Sequence, residues 1–273
     1  MRTILSLVQG TPEWHEHRIK YRNASETPAV MGASPWLSPL MVWELKTGRR
    51  IQEVNFAMQR GTELEPKARA AYEQQTGMVM EPVVMVDGDY SASLDGVSLA
   101  GDLILEVKCP VQRRRSETWK KAEAGKVPRH YYLQLQHQLM VSKAALAHFY
   151  VFDGESGVTV EVLPDQEEMN RIQQAWNRFM AFISTDTAPP LAAMDTLIRE
   201  DEAWKLGAER YLASKEAAEE AAKQAEVAKA GLVALAQHSS ERGFGVSVSK
   251  FWKENSGKQE VRVTTTRQGG QPC

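Results

Sequence analysis

Apolar and polar positions follow two rhythms along this chain, and the places where the rhythm changes mark its elements. Trp14 and Arg18 stand one turn apart, with Arg22 at the next, which predicts a short helix over Pro12–Tyr21. A second helix is expected over Leu40–Thr47, stopped by Gly48. A third spans Phe56–Gln75 and ends at Gly77, with Leu64, Ala68, Ala71 and Tyr72 on one face. Pro66 lies inside it, so either the helix kinks there or a helix starts with Pro66 at its first position and Glu65 as its cap. The rhythm then shortens to period two. Val83–Val86, Tyr90–Leu94 and Leu103–Lys108 read as an antiparallel meander, separated by Asp87-Gly88 and by a turn between Ser98 and Asp102. A helix over Tyr131–Val141, two strands over Ala147–Phe152 and Val158–Leu163, and an amphipathic helix over Pro164–Ile183 complete this part.

The character of the chain changes at Pro189-Pro190, which places one domain over 1–190 and a second over 191–273. The second opens with an Ala/Glu/Lys-rich stretch, Leu197–Leu235. Leu197, Trp204, Tyr211, Ala218, Ala225 and Leu232 recur every seventh residue, but Glu200, Gly207, Ser214 and Ala221 beside them are small or polar. A long packed helix or a helical hairpin fits that thin seam better than a free coiled coil. Val246, Val248 and Lys250, then Asn255-Ser-Gly, then Val261 and Val263 resemble a hairpin, and the tail from Thr264 to Cys273 is expected to be disordered. The whole reads as a mixed α/β (α+β) protein with a helical extension.

Composition excludes several classes. The 273 residues are 42% hydrophobic and 25% charged, an ordinary globular balance, and no apolar run reaches a membrane span or a secretory signal. A cytoplasmic protein is expected. The net charge of −2 means that any nucleic-acid partner must meet a local basic patch. The cysteines, Cys109 and Cys273, make neither a disulfide framework nor a thiolate metal site, so any metal must be held by oxygen.

Ser93-Leu-Asp95-Gly96 precedes Glu106-Val-Lys108-Cys-Pro110 by ten residues. Residues two apart in a strand share a face, so Glu106 and Lys108 point one way while Leu105, Val107 and Cys109 point into the core. Burying such charges costs several kcal/mol unless they are paired or bind a metal. Asp95, Glu106 and the Val107 backbone carbonyl would suit Mg²⁺ or Mn²⁺. The same pattern also suits a turn at Asp95-Gly96 and an exposed cross-strand pair. Glu65 offers a third carboxylate, although Thr62 to Glu65 equally fits a capping box. Beyond the lysine, Arg113, Arg114, Arg115, Lys120, Lys121, Lys126 and Arg129 stand against only Glu117 and Glu123, which suits a polyphosphate substrate or a solvated face.

Trp14-x3-Arg18 with Ser25, Gly61-x3-Glu65-x2-Ala68, Tyr72-x4-Gly77, Ser93-x-Asp95-Gly96, Glu106-Val-Lys108-Cys-Pro and Gln134-Leu-Gln136 occur in one order. Over about residues 8 to 185 this set resembles the lambda-exonuclease, or YqaJ-like, phage recombination nucleases of the PD-(D/E)xK superfamily. Leu94 departs from the proline usual before the aspartate, a position that supplies no ligand. The resemblance implies a restriction-endonuclease-like core, with Asp95, Glu106 and Glu65 as metal-binding acids for two Mg²⁺ ions, Lys108 as catalytic lysine and Gln136 beside them. It further implies a pocket for a DNA 5′-phosphate at Arg18, Ser25 and Ser93. Trp14 is expected either to stack on a terminal base or to be core, and Gln136 fits an exposed helix face as well. The activity implied is degradation of one strand of linear duplex DNA from its 5′ end by a homotrimeric ring with a single-strand annealing partner. An endonuclease, or an inactive DNA-binding protein on the same fold, stands as the alternative.

Overall fold

The computed structural model describes residues 2–8, 10–51, 54–252 and 259–265. In chain order the first unit contains β1 (Thr3–Leu5), α1 (Pro12–Lys20), β2 (Arg22–Asn23), α2 (Thr27–Val30), α3 (Pro39–Lys46) and α4 (Phe56–Thr76). There follow β3 (Met80–Asp87), β4 (Tyr90–Ser98), β5 (Leu103–Lys108), α5 (Glu117–Glu123), α6 (Arg129–Ser142), β6 (Leu146–Phe152), β7 (Gly157–Val162) and α7 (Gln166–Ser184). The helices begin where side chains can satisfy free backbone N–H groups. Thr11, Ser38, Asn55, Ser116 and Asp165 each accept from the backbone N–H three residues on. Helix α7 therefore starts behind Asp165, and Pro164 stays outside it.

Helix α4 runs unbroken through Pro66 and ends at Gly77, whose φ of 74° suits a residue without a Cβ. It neither starts at Pro66 nor has a capping box at Thr62, whose hydroxyl donates to the Met58 carbonyl. Ala68 and Tyr72 are buried on its inner face, and that packing offsets the backbone bond lost at the proline.

Among the described residues, seven strands form one mixed sheet in the order β1-β3-β4-β5-β6-β7, with β2 on β4. β3, β4 and β5 are antiparallel, whereas β5 and β6 are parallel because the chain crosses over through α5 and α6 between them. One face buries Ile104, Phe149 and Val151 under Leu135, Leu139 and Trp176 of α6 and α7. The other buries Leu103, Leu105, Val107, Tyr150 and Phe152 under Ala68 and Tyr72 of α4.

β4 organises the site. One of its edges pairs with β3. The other takes β2 at Tyr90 and Ser91 and β5 at Gly96 and Val97, so Ala92 to Asp95 face an opening between those two pairings. The expected strand Tyr90–Leu94 thus continues to Ser98, and Asp95-Gly96 lies in a strand instead of a turn.

Contacts divide the chain into units 1–197 and 198–273. The second contains α8 (Glu202–Leu235), one 34-residue helix with no buried residue, and the antiparallel strands β8 (Ser240–Gly243), β9 (Val246–Trp252) and β10 (Gln259–Thr265). α8 is therefore a single helix and not a helical hairpin. Val263 pairs with Val248 and Val261 with Lys250, as the alternation predicts, while Thr264 and Thr265 belong to the strand and not to a disordered tail. Asn255-Ser-Gly and the tail from Thr266, including Cys273, lie outside the described residues. Among those residues no helix is long and apolar enough to cross a membrane.

Candidate active site

Asp95 and Gly96 occupy the point where β4 and β5 part. A Cβ on Gly96 would lie 2.7 Å from the Cβ of Met80 and 3.3 Å from that of Leu105, so only glycine fits. Past this point the Asp95 carboxylate takes over the ladder, its Oδ2 accepting from the Val107 N–H at 2.7 Å. The N–H and C=O of a strand residue point to the same edge, so the Val107 carbonyl faces the same opening. Glu106, 2% exposed, points from β5 toward α6. Its Oε1 accepts from Gln134 Nε2 at 2.7 Å and its Oε2 from Gln138 Nε2 at 2.5 Å, and Lys108 is ion-paired with it. The Lys108 ammonium also lies 5.0 Å from the centre of the Tyr131 ring.

Charge at this point is out of balance toward the negative. Burial, with the nearby charges of Glu106 and Glu65, lifts the Asp95 carboxyl well above the usual carboxylate range, and burial also raises Glu65. Burial works against the Lys108 ammonium, yet Glu106, Tyr131 and Asp95 together raise it above the usual lysine range, so it stays protonated. The oxygens of Asp95, Glu106 and the Val107 carbonyl form a hard donor set of the kind that suits Mg²⁺ or Mn²⁺.

Of the two further residues expected beside these acids, Glu65 is near them and Gln136 is not. Glu65 is turned to Arg69, which reaches its Oε1 at 3.1 Å and donates to the Asp95 backbone carbonyl at 2.7 Å. Among the described residues no three His, Cys, Asp or Glu side chains form a metal cage. Gln136 is buried but lies away from the acids, donating to the Leu163 carbonyl and accepting from the Asp165 N–H, both at 2.8 Å. A helix face repeats every three to four residues, so the two glutamines flanking Gln136, four apart, share the face that meets Glu106. That spacing was the available signal in Gln134-Leu-Gln-His-Gln138.

Trp14, Arg18, Ser25 and Ser93 are brought together. Trp14 Nε1 donates to Ser93 Oγ at 3.1 Å, the Arg18 guanidinium lies 4.6 Å from the centre of the Trp14 ring, and Arg18 Nη1 donates to Ser25 Oγ at 3.0 Å. Trp14 is half-buried and bonded at this site, so it is not simply core. Behind Arg18 stands a group that sequence reasoning missed. Glu26 is buried and ion-paired with Arg18 at 3.0 Å and with Lys46 at 2.8 Å, and Lys46 also donates to the Arg18 and Tyr21 carbonyls. Burial pushes the Glu26 carboxyl up, but Lys46 and Arg18 hold it below the usual carboxylate range. Two cations thus surround one carboxylate. Nothing in the sequence joins residues twenty apart, so this pair was legible only in the fold.

The basic run divides. Arg113, Arg115 and Lys120 are exposed, but Arg114 donates to Asp153 at 2.6 Å and to Ser156 at 3.0 Å, which makes it a clamp on the β6–β7 turn and not a free phosphate contact. Lys121 lies 3.5 Å from Glu117, and Arg129 pairs with Glu168 at 2.7 Å.

Comparison with known proteins matches residues 13–145 to the YqaJ-like viral recombinase domain. Among solved structures, the chain resembles LHK-Exo in complex with dAMP, at 25% identity and a TM-score of 0.56, over 64% of this chain and 94% of that one. It also resembles an alkaline exonuclease (LHK-Exo) from Laribacter hongkongensis, at 28% identity and a TM-score of 0.53, over the same shares. No curated protein matches the chain.

Proposed function

We propose, from the match of residues 13–145 to the YqaJ-like viral recombinase domain, that this chain is a phage-type exonuclease that uses Mg²⁺, or Mn²⁺ in its place, to degrade one strand of linear duplex DNA from a 5′-phosphorylated end. It releases 5′-mononucleotides and leaves 3′ single-stranded tails for annealing. A homotrimeric ring and a single-strand annealing partner belong to the same proposal.

The observation that supports it most is the placement of Ser93 and Asp95 two residues apart on β4, one joined to the Arg18 group and the other to the acids. The first group has one positive charge in excess and suits a terminal phosphate, which carries more charge than an internal diester. The second suits a cation. Arg18 and Ser25 hold the end, Asp95 and Glu106 present oxygens, and Gln134 and Gln138 fix the Glu106 carboxylate. Lys108 positions the attacking water and stabilises charge developing on the phosphorane. A divalent ion at this site supplies Lewis-acid polarisation of the phosphodiester and an activated water. Exposed Arg113, Arg115 and Lys120 meet the DNA backbone without regard to sequence.

The test is one assay on linear duplex, closed circle and single strand, with and without Mg²⁺. Digestion of linear duplex alone, dependent on the ion, is expected. Cutting of closed circles would make the protein an endonuclease, and binding without cutting would make it a DNA-binding protein on a nuclease fold.

A further inference from the structure

Beyond Lys108 the surface carries a group of aromatic rings that the proposed hydrolysis does not use. Tyr131, whose ring faces the Lys108 ammonium, lies 4.2 Å from the His130 ring, and His130 lies 4.8 Å from the ring of Trp36. Trp36 itself is 62% exposed. Much of its apolar surface therefore stays in water, open to a partner. The loop that presents it is held still: Ser34 Oγ accepts from both the Trp36 and Leu37 N–H groups at 3.2 Å, Pro35 restricts the backbone between them, and Ser38 caps α3. The ring is therefore presented on a fixed loop with aromatic neighbours behind it. His130 Nε2, between Trp36 and Tyr131, is buried without a hydrogen-bond partner.

We propose that Trp36, backed by His130 and Tyr131, is a stacking platform for an unpaired nucleobase of the strand engaged at Lys108. A base inside a duplex has both faces covered by its neighbours, whereas an unpaired base offers a free face to an aromatic ring. The centre of the Trp36 ring is 6.0 Å from that of Tyr131, which is 5.0 Å from the Lys108 ammonium, a reach of a few nucleotides. Lys108 and Lys121 both lie close enough to His130 for their charges to bear on it. The platform explains how a strand freed from its complement is kept apart from it, and it rests on the nuclease reading only in requiring DNA at Lys108.

The test uses the full chain carrying Asp95→Ala, so that DNA is bound without being cut, alone or with Trp36→Ala or Trp36→Phe. Binding is measured by fluorescence anisotropy to a duplex with a three-nucleotide unpaired 5′ arm, and to the same duplex with abasic sites in the arm. Trp36→Ala is expected to weaken binding of the normal arm roughly tenfold, the scale of one base stacked on an aromatic ring. Trp36→Phe is expected to retain most of the affinity. Removing the bases should cost the tryptophan protein the same factor and the alanine protein nothing further, the mark of a direct pairing. Equal affinities of the tryptophan and alanine proteins for the normal arm, or an equal loss on the abasic arm, would overturn the platform. Failure of the unmutated chain to digest linear duplex in Mg²⁺ would instead strike the nuclease reading, since the arm comparison measures binding alone.

Discussion

Glu106 and Glu26 are both almost wholly buried carboxylates, yet they sit in opposite surroundings. Around Glu106 stand two further acids, Asp95 and Glu65, with Lys108 and Arg69 to answer them. Around Glu26 stand two cations, Arg18 and Lys46. With all three acids ionised the first group would lack one positive charge, which is why burial and mutual repulsion raise Asp95, whereas the second lacks one negative charge. A buried structural ion pair is closed, because an uncompensated charge costs several kcal/mol. Two open groups of opposite sign, joined through β4, are what a substrate that brings phosphate to one and a cation to the other would complete. Arg114 with Asp153 shows the contrast: one exposed cation answers one buried carboxylate, and the pair holds a turn.

The largest expected effect is on the acid side. Asp95→Ala should slow digestion by on the order of a thousandfold while circular dichroism and DNA affinity stay near those of the unmutated chain, because the change removes a proposed metal-binding carboxylate and little apolar surface. Substantial Mg²⁺-dependent activity in that variant would break the comparison at its first term. On the cationic side, Arg18→Ala should slow digestion of 5′-phosphorylated duplex by about 10- to 100-fold, the scale of one charge-assisted hydrogen bond. The same variant should change little on a 5′-hydroxyl duplex, where the charge is already missing. Equal loss on both ends would show that Arg18 only supports the fold or the backbone.

A smaller effect separates the glutamines. Gln138→Ala should lower the digestion rate by roughly tenfold, since it frees a charged acceptor on Glu106. Gln136→Ala should leave the rate alone and cost about 1 kcal/mol in urea unfolding, through its bonds to the Leu163 carbonyl and the Asp165 N–H. The opposite result would restore Gln136 to the acids. The smallest effect concerns pH. In the folded chain Glu26 titrates below its ordinary value of 4.5, because the attraction of Lys46 and Arg18 outweighs burial. Its contribution to stability is therefore complete above pH 4.5 and is lost as pH falls below it toward the folded value. Denaturant melts of Glu26→Gln should show lower stability than the unmutated chain at pH 7 and a smaller further loss on acidification through this window. Parallel curves would mean that Glu26 is not held by its cations.

Local rhythm was enough to locate most of the first unit. Strand alternation and helix stops at Gly48 and Gly77 come from neighbours within a few residues, and for the same reason Asp95, Glu106 and Lys108 could be singled out by spacing along two adjacent strands. The strand Thr3–Leu5 was not legible, because its three residues are too few to show a period and pair with β3 some eighty residues away. Helix α8 shows the other limit: its composition predicts a helix, but whether a face is buried depends on what packs there, and within the described residues none of it is buried. The choice of Gln134 and Gln138 over Gln136 depends on how α6 rolls against the sheet, which Leu135 and Leu139 decide by entering the core. The same holds for Glu26 with Lys46, for Arg114 with Asp153 and for Trp36 beside Tyr131. Sequence alone determined most of the elements and singled out Asp95, Glu106, Lys108 and Arg18, since strand alternation and helix turns follow from short-range geometry. Which charges are paired, and which are left open for a ligand, was decided only by tertiary structure, since pairing depends on distances between segments that are remote along the chain.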